Sequence, residues 1–161
     1  MANAKDIIFF NKWHLKFGCK NVYLSGPITM DQDKAKREFG IVAYHMLETF
    51  KAEHVFDPAN DKMFAYPQGD IYQSFTHPDY MALCITELCS YKLRLNHISH
   101  LTAITREPKY DLVVMLPGFL DSRGAAVEEV VANACGIDIV YWEDVLDGAS
   151  PEMRAYLERR A

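Results

Sequence analysis

The sequence predicts an α/β domain in which a mostly parallel sheet of four or five strands is covered by helices on both faces. Three observations carry that expectation. Short β-type runs at 22–24, 54–58, 112–116 and 137–141 alternate with stretches of helical spacing. Proline or glycine closes the first three of those runs, at Gly26-Pro27, Pro58 and Pro117-Gly118. Residues 110–141 hold strand, polar loop, helix and strand in about thirty residues, the span of one βαβ unit. Right-handed crossovers then lay the strands parallel, with ligands expected where strands end and helices begin.

Each element has its reason in chain order. An N-terminal helix is expected over about 3–18, where apolar and basic positions mix and Gly18 supplies a C-cap. Its apolar side reads as a packing face rather than a membrane-surface face. Val22, Tyr23 and Leu24 open the first strand, and Ser25-Gly26-Pro27 breaks it. A helix follows over about 32–50, capped by Thr29 or Asp31, with Phe39, Val42, Ala43, Met46 and Leu47 at helical spacing. After the second strand, residues 59–78 are irregular and rich in Asp, Gly, Pro and Tyr, and a loop of that length usually carries function. Helical spacing returns over 79–96, and again over 123–135. In the tail, Pro151 starts a charged C-terminal helix.

Composition narrows the function classes. The 161 residues, half of them apolar and without internal repeats, suit a single domain. A net charge of −5 argues against a nucleic-acid polymer as partner, which needs clustered Lys and Arg, but leaves room for one small anion. The four cysteines form no CxxC pair and follow no secretory leader, so they read as reduced thiols of a cytoplasmic protein. No apolar run is long enough to span a bilayer. His97 and His100 lack a partner at ligand spacing, so no metal and no cofactor is expected.

Chemistry can gather at three places: the Gly26 turn, the start of the helix at Asp79, and the loop Asp121 to Gly124 with Glu128 one helical turn on. A helical side chain leans back toward the N-terminus, so Glu128 is aimed at the crevice, while Glu129 points about 100° away as a solvated charge. Ser122, Arg123 and Gly124 have two readings. They form either a phosphate site built from hydroxyl, guanidinium and free N–H groups, or a serine N-cap beside a surface arginine. Asp79 is a favourable dipole partner for its helix. If it also faces Glu128, the two carboxyls split in pKa, one nucleophilic and one acidic, as cleavage of a glycosidic bond requires.

The segments VYLSGP at 22–27, VFDP at 55–58, DYMAL at 79–83 and YDLVVMLPGFLDSRGAAVEEVVANA at 110–134 together resemble the nucleoside 2-deoxyribosyltransferase superfamily. That superfamily includes the 2'-deoxynucleoside 5'-phosphate N-hydrolases and related phage proteins. The resemblance spans about residues 21–141, and its specific part is G-x-x-x-E-x-x-x-A at Gly124, Glu128 and Ala132. It implies a flavodoxin-like, Rossmann-like three-layer sandwich. It further implies that Glu128 is the nucleophile attacking C1' of the sugar, that Asp79 assists the departing base, and that Tyr23 lines the pocket. Free-nucleoside transferases tend to carry aspartate six residues before the nucleophile and the phosphate-dependent hydrolases serine; Ser122, followed by Arg123, points to a 5'-monophosphate. The hydrolases' Gly-rich first loop is replaced here by a turn in which Gly26, Ile28 and Thr29 are the candidate contacts. Residues at about 84–109 are an insertion.

The expected activity is therefore an N-glycosidase of deoxynucleoside monophosphates with a covalent glutamyl-sugar intermediate. The alternatives are base exchange through the same intermediate, and a non-catalytic nucleotide-binding protein. The resemblance implies a homodimer or larger assembly of the chain, in a cell or phage-host cytoplasm.

Overall fold

The computed structural model describes residues 3–28, 31–61, 77–98 and 100–160, and within these the side chains of 77–80, 96 and 98 lie outside the description. Four strands form one fully parallel sheet: β1 (Asn21–Ser25), β2 (His54–Phe56), β5 (Leu112–Met115) and β6 (Asp138–Tyr141), in the order β2-β1-β5-β6. The central strands are buried on both faces, β5 throughout and β1 from Val22 onward, which is why both read as near-continuous apolar runs. Register pairs Tyr23 with Val113 and Ser25 with Met115, so the two strands end side by side.

Alternation along β1 divides the interior in two. Val22 and Leu24 face a core shared with helices α1 (Ala4–Phe17), α2 (Gln32–Tyr44), α5 (Trp142–Asp147) and α6 (Pro151–Leu157). Its centre is aromatic, with Trp13 stacked on Phe17 at 5.4 Å and Phe17 against Phe50 at 5.3 Å. Tyr23, on the other face, joins Phe56, Tyr110, Val113 and Met115 beneath α3 (His77–Leu88) and α4 (Arg123–Ala134). Helices on both faces of a parallel sheet give the expected three layers.

The helix over 79–96 requires correction. The helix α3 ends at Leu88, and an antiparallel hairpin follows, β3 (Tyr91–Ile98) with β4 (Leu101–Pro108). Tyr91, Leu93, Leu95 and His97 alternate with polar Lys92, Arg94 and Asn96, a period of two that the preceding helical run obscures. Just before β4, His100 lies in the left-handed region at φ 69°. The insertion at 84–109 thus comprises the end of α3 and a separate two-stranded sheet. Two smaller features follow local chemistry. Asp31 caps α2 by accepting from the Lys34 N–H at 3.0 Å, and the helix runs into a π-helical turn, His45–Thr49. Past α1 it is Cys19, at φ 56°, that turns left-handed, while Gly18 is held at φ −59° with its N–H on His14 O.

Candidate active site

Glu128 is placed by the stripe that α4 buries. Gly124, Glu128 and Ala132 recur every fourth residue, and with Ala125 they form the helix's buried side. Ala132, fully buried one turn beyond the glutamate, lets the helix lie low on the sheet. A Cβ on Gly124 would stand 2.6 Å from Met81 Sδ, so its missing side chain also lets α3 draw close. The carboxylate is pressed toward the end of β1, where it meets Tyr23 and Ser25, two residues apart on one strand face.

The result is an acid in a dry place. Glu128 is only 5 % exposed, and burial pushes its pKa up to about 7. Tyr23 and Ser25 stand close enough to favour its charged form and oppose that rise. Neither Glu128 Oε2 nor Ser25 Oγ completes a hydrogen bond of good geometry. Two buried polar atoms left in this way cost stability and are ready to accept a partner from outside the chain. Tyr23 is fully buried, stacked on Phe56 at 5.0 Å, and its hydroxyl donates to Cys84 O at 3.3 Å. Burial first, and Glu128 second, hold its phenol well above the ordinary value, so it remains a neutral donor.

The loop before α4 is a cap. Ser122 Oγ accepts from the Ala125 N–H at 3.3 Å, which leaves its hydroxyl proton free to donate. Arg123 is exposed; with Gly124, Met81, Ala82, Ile85, Thr86 and Val127 it lines a recess of about 640 Å³ between α3 and α4. Glu128 is not among the residues lining that recess. Gly26 is buried at the tip of β1, where a Cβ would fall 2.9 Å from Leu116 Cβ, and Ile28 packs partly buried against both cores.

Of the expected site residues, the structure brings Tyr23 and Glu128 together and places Ser122, Arg123 and Gly124 at the head of the same helix. Asp79 falls in the first turn of α3, and its side chain lies outside the described residues, as does Thr29 entirely. Ser25 was missed. It reads as a strand breaker, yet its spacing of two from Tyr23 is the signal that it shares the same face. Among the described residues, no helix is long and apolar enough to cross a membrane.

No curated protein and no solved structure matches the chain. A domain family of unknown function, DUF4406, matches residues 96–141, which take in the β5-α4-β6 unit with Ser122 and Glu128, and that family is associated with nucleoside 2-deoxyribosyltransferase-like proteins.

Proposed function

We propose that the chain is an N-glycosidase of 2'-deoxynucleoside 5'-monophosphates, acting through an ester between Glu128 and C1' of the sugar. One observation carries this reading: a carboxylate with an unfilled hydrogen bond, buried against a tyrosine and a serine at the carboxyl end of a parallel strand. Water-free surroundings raise the nucleophilicity of the ionised form, and Tyr23 and Ser25 orient it. Attack on C1' breaks the glycosidic bond, and the base leaves with a proton, supplied by Asp79 in this reading. Water then hydrolyses the ester and returns Glu128 as carboxylate. The Ser122 hydroxyl proton, the Arg123 guanidinium and the α4 N-terminus support a 5'-phosphate at the other end of the substrate.

Incubation with a panel of deoxynucleoside monophosphates, followed by chromatography for free base, tests the reading. Release of base with deoxyribose 5-phosphate supports it; capture of the sugar by an added acceptor base instead of water would make the chain a transferase. Tight nucleotide binding without turnover in either assay would leave a binding protein.

A homo-oligomer belongs to the same reading. Its support is the hairpin, where Tyr91, Leu93, Leu95 and Ile104 share one face and are each more than half exposed. Light scattering at micromolar concentration checks it, and a monomer would count against it.

A further inference from the structure

Two cysteines outside the proposed site stand together. Cys89 directly follows α3, and Cys135 caps the C-terminal end of α4. Both are free and exposed, and they lie close enough for the Cys135 sulfur to act electrostatically on the Cys89 thiol. They share a cavity of about 240 Å³ whose other lining residues include Leu88, Arg106, Pro108 and Ile137. Arg106, which is exposed, offers a cation there, and the one carboxylate of the lining, Glu107, is paired with Arg94 at 3.2 Å.

We propose that Cys89 and Cys135 form an oxidisable dithiol site, which a small anionic disulfide of the glutathione class converts to an intramolecular disulfide. The site joins helix ends that nothing else crosslinks covalently, at the far end of α3 and α4 from Asp79 and Ser122. The shared cavity supplies both the juxtaposition and the approach for a reagent whose carboxylates suit Arg106. Burial, and then the Cys135 sulfur, push the Cys89 thiol up, so Cys89 is taken as the resolving thiol. The Cys135 thiolate attacks one glutathione sulfur, the glutathione disulfide bond breaks, and one glutathione leaves and takes up a proton. Cys89 then gives its proton to solvent, attacks the Cys135 sulfur and expels the second glutathione. The protein loses two electrons and two protons, and one glutathione disulfide becomes two glutathiones.

The test is equilibration of the full chain in glutathione buffers of increasing oxidised fraction, acid quenching, alkylation, and peptide mapping without reduction. The expected result is a peptide pair joined through Cys89 and Cys135, with both thiols lost together. The melting temperature should rise by about 5–10 °C, because the crosslink closes a loop of about 45 residues. In Cys89→Ser, Cys135 should instead be trapped as a stable glutathione adduct, with Cys19 as the exposed but solitary control. Recovery of Cys89 and Cys135 in wild type as separate adducts, or both still free in the most oxidising buffer, would overturn the proposal. Neither outcome depends on whether the chain turns over nucleotides.

Discussion

Two glutamates on neighbouring helices meet tyrosines and end in opposite states. Glu87, near the end of α3, accepts from both Lys109 Nζ and Tyr110 OH. Burial alone would raise it, but those partners outweigh burial and hold its pKa below the usual carboxylate range. Glu128, on α4, has Tyr23 beside it and no cation among the described residues, and burial wins, carrying it to about 7. The same side chain is a fastening in one place and a liability in the other. A chain that leaves a buried carboxylate without a counter-ion gives up stability there, which is the pattern of a reactive group rather than a structural one.

The contrast breaks most sharply in activity. Glu128→Ala should reduce base release by about a thousandfold or more if the carboxylate is the nucleophile, measured as initial rate at saturating nucleotide. Base release at the wild-type rate would end the covalent mechanism.

Stability tests the electrostatic half. The folded pKa of Glu128 lies above its unfolded value, so the cost of ionising it is absent below about 4.5 and grows as pH rises to about 7. Glu128→Gln should therefore stabilise the protein by about 2–3 kcal/mol at pH 8 and by almost nothing at pH 4, read from urea unfolding at both pH values. Equal effects at the two pH values would show that the carboxyl is not strained by burial.

Glu87 should behave in reverse. Its lowered folded pKa gives stability that is present above the ordinary carboxylate value and lost as pH falls through the folded one. Glu87→Gln should cost about 1–2 kcal/mol at pH 7, shrinking toward zero in acid, in the same unfolding assay. Ser25→Ala sharpens the comparison further. Removing a group that favours the charged form should move the acidic limb of the pH–rate profile upward, and losing a buried hydroxyl without a partner should raise the melting temperature slightly. The smallest effect belongs to Gly124→Ala. The new methyl meets the flexible end of Met81, which can turn aside, and alanine's better helix propensity offsets the strain, so the net change should stay within about 1 kcal/mol.

The parallel layers were legible because the strands are short and apolar, because proline or glycine closes three of the four, and because Phe39, Val42 and Met46 keep helical spacing into the core. Glu128 was legible for a different reason. Its motif of small residue, glutamate and small residue at every fourth position is the buried stripe of α4 itself. The hairpin was not legible, since Leu93 and Leu95 continue an apolar run already explained by α3 and have no core contact to distinguish them. Ser25 escaped because a serine before Gly-Pro looks like turn chemistry, and only the register with β5 shows that it is the last buried strand residue. Tyr23 was expected to line a pocket, and its packing against Phe56 and Tyr110 makes it part of the core.

The way α4 rests on the sheet has a consequence for tuning. Since the fully buried Ala132 seats the helix one turn past its glutamate, the height of that helix acts as a dial on carboxylate basicity. A bulkier neighbour there would lift the acid toward solvent and soften it. Chains of this kind that work in more acidic surroundings should then carry a larger residue at that position, with no change to the glutamate.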